Sequence, residues 1–321
     1  MKIAILTSGG DSSGMNVAIK RFVEYSYEKN FTPYFIYDGL EGLIDGKIKK
    51  ANYKDVRGII CRGGTIIRSS RSKRWFDKEY RKKAYENLKK QSIDALIILG
   101  GDGSFRALNV FYKEFKIPFI GIPATIDNDI ALNEYSIGVD TALNVIRSAI
   151  DDIRDTASSF SRAFVIETMG RECGYLALIS AISNGAEMCL IPEMPYNLDR
   201  LKEKYLKEIK NGRNYFLAIV AEGVKKTEFI KEWFEREIGF ESRITILGHI
   251  QRGGAPTTIE RLRAVEFMSL ALDNIENNPN KIVTFCDDKF ILRNLEEIIN
   301  SKYSLPKKAL EIAKPLMGLD G

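Results

Sequence analysis

Three short apolar runs in this chain each end abruptly in a polar loop rich in glycine or aspartate. Residues 2–7 lead into Ser8-Gly9-Gly10-Asp11-Ser12-Ser13-Gly14, and residues 95–99 into Gly100-Gly101-Asp102-Gly103-Ser104. Residues 117–122 lead into Pro123-Ala124-Thr125-Ile126-Asp127-Asn128-Asp129. Runs of this length bounded by turn residues read as buried strands of a parallel sheet. Open α/β sheets place their ligands at the carboxyl ends of the strands, where these loops lie. Three such loops converging on one sheet edge constrain the chain more than any single loop does. An α/β fold with a ligand site along that edge is therefore expected.

The chemistry of the loops narrows the ligand. After the first loop, Met15, Val17, Ala18, Phe22 and Val23 recur at helical spacing. Strand, glycine loop and helix together aim backbone N–H groups at a phosphate. The loop is neither a Walker loop nor a dinucleotide GxGxxG fingerprint, since neither pattern is present. Asp102 in the second loop can reach a magnesium ion. In the third loop Pro123 cannot donate to the ladder, and Asp127 and Asp129 follow with Thr125 two residues before. One of these carboxylates can take a proton while the other faces a metal.

Composition removes several alternatives. A chain of 321 residues, 45% hydrophobic and 28% charged, can bury a large core and is long for one domain, so two are expected. The net charge of +5 suits small anionic substrates better than a nucleic-acid arm. Cys61, Cys173, Cys189 and Cys286 are scattered without a CxxC pair, which speaks for reduced thiols in a cytoplasm and against zinc. No apolar run approaches the roughly 18 residues of a membrane span, and the first run is too short for a signal peptide.

Further along, residues 34–37 read as a second strand followed by an Asp38-Gly39 turn. A cation-rich segment then carries Arg62, Arg68, Arg71, Lys73 and Arg74, beside Trp75 and Phe76. It reads as a clamp on polyphosphate or as a solvated basic loop. Residues 79–90 read as a surface helix and 141–153 as a helix with Ala142, Val145, Ile146 and Ala149 on its apolar face. A second strand system follows at 162–167, ending in Met169-Gly170-Arg171-Glu172-Cys173-Gly174. Residues 215–220 end in Ala221-Glu222-Gly223, and 243–247 in Gly248-His249-Ile250-Gln251-Arg252-Gly253-Gly254. Residues 227–238 read as an amphipathic helix with Gly239 as its C-cap. His249 is the only histidine, which excludes multi-histidine zinc sites. Arg162, Arg243, His249 and Arg252 together form the kind of cationic set that a phosphate monoester requires.

Five of these motifs in this order resemble the ATP-dependent 6-phosphofructokinase family in its bacterial form. They are Thr7-Ser8-Gly9-Gly10-Asp11, Gly100 to Ser104, Thr125 to Asp129, Met169-Gly170-Arg171, and Leu247 to Gly254. The resemblance covers nearly the whole chain. It implies two Rossmann-like three-layer αβα lobes, with the active site in the cleft between them. The nucleotide lobe would be 1–138 plus 251–300, and the sugar-phosphate lobe 139–250 plus 301–321.

The resemblance also implies roles. Asp127 would be the base for the 1-hydroxyl of fructose 6-phosphate. Thr125 and Arg171 would contact the transferring phosphoryl group of ATP. Asp102 would be the carboxylate on the Mg2+ side, with Asp129 close by. Gly10, Arg71, Ser72, Gly101, Gly103 and Ser104 would hold ATP. Met169, Gly170 and Glu222 would shape the sugar pocket. Arg162, Arg243, His249 and Arg252 would bind the 6-phosphate, the first two reaching in from a neighbouring subunit. The chain would then be a cytoplasmic, glycolytic homotetramer, with no nucleic acid or membrane as partner.

Small residues at Gly103 and Ala124 favour ATP, because pyrophosphate-dependent relatives usually carry Asp and Lys there. Ala124 itself departs from the Gly common among ATP users. At the family's effector site Arg154, Gly185, Glu187 and Arg213 are kept, and Lys20 stands for the usual Arg. Glu24, Tyr53, Asn211 and Tyr215 replace positively charged or imidazole side chains, which implies weak regulation by ADP and phosphoenolpyruvate. Two rival readings are a non-catalytic sugar-phosphate sensor on the same fold and pyrophosphate as donor. A nucleic-acid role rests only on the basic stretch 68–76.

Overall fold

The computed structural model describes residues 1–320. In chain order the elements are β1 (Lys2–Ser8), α1 (Met15–Glu28), β2 (Thr32–Ile36), α2 (Gly39–Ile44), β3 (Ile48–Lys50) and α3 (Lys78–Gln91). There follow β4 (Ala95–Gly100), α4 (Asp102–Phe115), β5 (Phe119–Pro123) and α5 (Val139–Phe160). The middle of the chain supplies β6 (Ala163–Thr168), α6 (Tyr175–Ser183), β7 (Met188–Leu190), α7 (Leu198–Lys210), β8 (Phe216–Ala221), α8 (Thr227–Trp233) and β9 (Ser242–Ile246). The last third supplies α9 (Thr258–Asn274), β10 (Lys281–Cys286), β11 (Lys289–Asn294), α10 (Leu295–Asn300) and α11 (Lys307–Ala313).

The chain divides into two compact units, Met1–Thr141 with Arg252–Tyr303, and Ala142–Gln251 with Ser304–Gly321. The first unit holds a seven-stranded sheet in the order β11-β10-β5-β4-β1-β2-β3. Its five central strands are parallel, and β3 and β11 pair antiparallel at the two edges. Strand alternation sends side chains to both faces, and both faces are covered. Ile3, Ile5, Phe35, Ile97, Leu99 and Val283 pack with buried residues of α1 and α9. Ala4, Leu6, Ile36, Leu96, Ile98 and Ile282 pack on the opposite face with buried residues of α2, α3, α4 and α10. A parallel strand buried on both faces must be apolar throughout, which is why β4 reads Ala-Leu-Ile-Ile-Leu-Gly.

The second unit holds four parallel strands in the order β7-β8-β6-β9. On one face Val165, Leu190, Ala218 and Val220 meet Tyr205, Trp233 and Phe234. On the other face lie Ile166, Leu217 and Ile219, fully buried, as are Leu176 and Ala177 of α6. Among the described residues no helix is long and apolar enough to cross a membrane.

Four local expectations are corrected. Residues 100–104 are not a loop throughout: Gly100 ends β4, and Asp102 already stands in the first turn of α4. An acidic residue at a helix N-terminus is favoured by the helix dipole, so Asp102 suits that place. Asp38-Gly39 is not an isolated turn but the entry to α2. The helix expected over 141–153 runs from Val139 to Phe160, because Ala157 continues its buried face beyond the polar residues that interrupt the pattern. The helix expected over 227–238 is regular only to Trp233 and widens over Phe234–Ile238 before Gly239 closes it at φ 83°.

Candidate active site

In the first unit β1 lies between β2 and β4, so the connections after β1 and β4 leave in opposite directions along the sheet. Such a reversal opens a crevice at the carboxyl ends of the two strands. The loops at this point are tied together closely. Ser104 Oγ is 2.9 Å from Ser8 Oγ and donates to the Ser8 carbonyl at 3.1 Å. Ala124 N–H donates to the Gly100 carbonyl at 2.9 Å. A Cβ at Gly100 would stand 2.7 Å from Ser104 Oγ and 3.0 Å from the Ser8 carbonyl oxygen, so only glycine permits this approach. Ser104 is buried, and its hydroxyl holds the first and second loops together.

Beside this junction lies a cavity of about 410 Å³ lined by Gly9, Gly10, Asp11, Thr65, Arg68, Ser69, Arg71 and Arg252. Arg252 Nη1 is 3.7 Å from Asp11 Oδ1, and a Cβ at Gly10 would come within 2.4 Å of the same nitrogen. Arg68 is held by Asp38 through two hydrogen bonds of 2.6 and 3.0 Å, and these hold the Asp38 carboxyl below the usual carboxylate range. Ser69 Oγ donates to the Gly9 carbonyl, which fixes the cation-rich segment beside the first glycine loop. Arg71 is exposed and lines the cavity, whereas Arg74 is engaged by Glu41 and Asp45. Ser72 Oγ accepts from Trp75 N–H, so its hydroxyl caps the turn that follows.

The third loop leaves β5 at Pro123 and returns at Ile137, whose N–H donates to the Pro123 carbonyl at 2.9 Å. Within this loop Asp127 is 3% exposed, and its N–H donates to Thr125 Oγ1 at 3.3 Å. Asn128 sits between the two aspartates at φ 50°, in the left-handed region that Asn tolerates better than most residues. Its amide donates to the Glu134 carbonyl, so the turn is braced from within. A Cβ at Gly101 would lie 3.6 Å from Thr125 Cβ, so the Asp102 turn and the Thr125-to-Asp129 loop are in contact range.

The donor chemistry here fits magnesium. Asp102 and Asp129 offer hard oxygen donors, and neither is buried. Asp102 is also the first helical residue of α4, where its charge is stabilised without a metal.

In the second unit β6 is the strand at which the order reverses. The Met169–Gly170–Arg171 turn follows β6, and the Gly248–Arg252 turn follows β9 on the same end of the sheet. Glu222, just after β8, accepts from Gly170 N–H at 3.2 Å and from Arg171 N–H at 2.8 Å. Arg171 is held at φ 54°, with its side chain exposed. Gln251 is buried, accepts from Met169 N–H and donates to the Gly248 carbonyl, so it ties the two turns together. His249 is exposed on the second of these turns.

Arg162 and Arg243 lie elsewhere. Arg162 precedes β6, and Arg243 pairs with Phe164 near the start of β9. Both engage Glu241, Arg162 at 2.8 Å. This is the amino end of the sheet, about 17 Å of strand away from the turns that carry Arg171 and His249. Within one chain these two arginines therefore do not join that set.

The sequence model described as Phosphofructokinase matches residues 2–275. The chain belongs to the phosphofructokinase family. It is 57% identical to an "ATP-dependent 6-phosphofructokinase" of Sulfurovum sp. over 97% of this chain and 96% of that protein. A protein of the same name from Sulfurimonas denitrificans is 56% identical over 97% of this chain and 98% of its own length. The fold is similar to the solved structure of phosphofructokinase from Saccharomyces cerevisiae, with TM-score 0.88 and 34% identity over 93% of this chain and 45% of that one.

Most of the residues expected from sequence at an effector site are engaged by neighbours in the same unit. In the first unit Lys20 is ion-paired with Glu24, and Tyr53 stacks on Tyr27 at 4.9 Å. In the second unit Arg154 donates to the Tyr215 hydroxyl and to the Asn184 carbonyl. Glu187 is buried, and burial raises its carboxyl although Leu217 N–H and Arg213 both bond to it. Arg213 is also 2.7 Å from Glu208. Gly185 stands at φ 58° with open space around it, and Asn211 caps the end of α7.

Sequence alone gives Gln251 only as a member of a motif and does not single out Glu260, because a buried polar side chain carries no pattern of its own. Asp11 is legible only as part of a motif, and it lines the cavity together with Thr65.

Proposed function

We propose that this chain transfers the γ-phosphoryl group of ATP to the 1-hydroxyl of fructose 6-phosphate, giving fructose 1,6-bisphosphate and ADP. Identity of 57% over 97% of the chain to a protein of that name carries the reading. Each of the five motifs follows a strand of one of the two sheets, which supports the reading.

Asp127 is the base. A carboxylate can accept the hydroxyl proton, and Thr125, through the Asp127 N–H, helps to fix the backbone that presents it. Thr125 and Arg171 hold the transferring group in line, with Arg171 presented by the turn that Glu222 anchors. Gly10, Arg71, Gly101 and Gly103 provide the close backbone approach and the cation for the polyphosphate, while Ser104 and Ser72 keep their loops in shape. Asp102, with Asp129, would hold Mg2+. Bound there, the ion would neutralise charge on the phosphates.

Met169, Gly170, Glu222 and His249 serve the sugar phosphate. Arg252 carries its charge in the first unit's cavity, where it bears on the phosphate being transferred as well as on the sugar. Arg162 and Arg243 sit at the wrong end of their own sheet for this site, which supports their acting on a neighbouring subunit and a homotetrameric enzyme. Reduced cysteines and the glycolytic reaction support a cytoplasmic location.

The test is an assay for fructose 1,6-bisphosphate with magnesium and fructose 6-phosphate, comparing ATP with pyrophosphate. Turnover with ATP is expected. Turnover with pyrophosphate alone would overturn the donor, and turnover with neither would favour a sensor.

A further inference from the structure

A cluster of buried polar groups outside the reacting residues surrounds Glu260. This carboxylate, on the first turn of α9, is fully buried and has no cationic partner among the described residues. Its Oε1 accepts from Gly138 N–H at 2.8 Å and from the Tyr135 hydroxyl at 2.9 Å. Its Oε2 accepts from Thr141 N–H at 3.1 Å and from the Thr141 hydroxyl at 3.2 Å. Gly138 and Thr141 frame the first turn of α5, so Glu260 caps one helix from another.

The cap lies one peptide away from two loops assigned to the reaction. The Ile137 N–H closes the neck of the Asp127 loop on the Pro123 carbonyl. The Ile137 carbonyl accepts from Ser12 Oγ of the first glycine loop at 2.9 Å. The next N–H, that of Gly138, goes to Glu260. A Cβ at Gly14, where the glycine loop enters α1, would be 3.0 Å from Glu260 Cγ. Glu260 therefore anchors the peptide next to the one by which Ser12 joins the base loop to the phosphate loop, and lies close against Gly14 where the latter enters α1. The Thr257 hydroxyl completes the cross-link by capping α9 and bonding Asp140.

We propose that Glu260 is a positioning residue for phosphoryl transfer, holding the neck of the Asp127 loop against the Gly10 loop so that base and donor meet in register. This rests on the function proposed above. An uncompensated donor at this neck lets the Asp127 loop shift, and small misplacements of reacting groups are costly in rate. Nucleotide affinity depends on other groups and should be largely spared.

The test uses the full-length enzyme and Glu260→Gln. The amide can satisfy one side of the cluster, but it presents NH2 to Thr141 N–H. A fall in kcat of about tenfold or more is expected, with KM for ATP within about twofold of the parent. Hydrogen exchange should quicken in peptides covering 124–141. Unchanged kcat with quickened exchange would overturn the proposal, leaving a cap that only stabilises. Tyr135→Phe removes one donor at the edge of the cluster and decides the matter if Glu260→Gln does not fold. A loss of about threefold in kcat supports positioning, and a parental kcat overturns it. An inactive parent enzyme would overturn the functional reading itself, and this proposal with it.

Discussion

Arg106 Nε donates to Asp102 Oδ2 at 2.6 Å, one turn further along α4. Both side chains are substantially exposed, so the pair is weak. On the proposed function, Arg106 competes with magnesium for this carboxylate. Arg106→Ala should lower the magnesium concentration for half-maximal rate by about two- to fivefold, the range that an exposed pair supports. A magnesium titration at fixed ATP checks it, and an unchanged or raised midpoint would count against Asp102 as a metal ligand.

Asp127→Asn keeps the size of the side chain and removes its basicity. The rate of fructose 1,6-bisphosphate formation should fall by ~10²–10⁴. KM for ATP should change little, because the glycine loops and Arg71 are untouched. A variant retaining a tenth of the parental kcat would remove Asp127 from the role of base.

Gly103 has open space where a Cβ would point and an ordinary backbone φ, so Gly103→Asp should fold normally. Its carboxylate would add a second negative charge to the first turn of α4, beside Asp102. KM for ATP should rise by about tenfold or more at an unchanged thermal midpoint, since a like charge near the phosphates is costly. Steady-state kinetics with ATP, together with a melting curve, would separate this effect from misfolding.

Burial pushes the Glu260 carboxyl up to about 7 from an ordinary value near 4.5, against the pull of its hydrogen bonds. A folded value above the unfolded one makes the contribution of this group full below pH 4.5. That contribution is lost as pH rises to about 7, by on the order of 3 kcal/mol. Tyr135, facing it, is raised far above this range by burial and by the charges of Glu260 and Asp140, so it does not titrate there. Glu260→Gln should therefore flatten the decline of the melting midpoint between pH 5 and 7. Parallel curves for parent and variant would contradict the buried titration.

Arg154, Arg213 and Lys20 each have partners within the chain, and Glu24 and Asn211 add no positive charge. Phosphoenolpyruvate, titrated at subsaturating fructose 6-phosphate, should shift the half-saturating sugar concentration by less than about twofold. Strong cooperative inhibition would show that these groups release their partners for an effector.

Local sequence determined the strands and the loops that end them. An apolar run that stops at glycine, proline or aspartate leaves few options, so β1, β4 and β5 and the polar groups that follow them were legible. The family motifs were legible for the same reason, since their residues sit together in the chain. The tertiary structure decided which polar side chains face ligand and which face protein. Ser104 lies in a motif but ties two loops together, Ser72 caps its own turn, and Arg162 and Arg243 fall at the opposite end of their sheet from Arg171. Glu260 and Gln251 each bind backbone far away in sequence, Glu260 to Gly138 and Gln251 to Met169. A buried polar group is defined by the donors that fold around it, and those contacts span about a hundred residues of chain, beyond what any local pattern can encode.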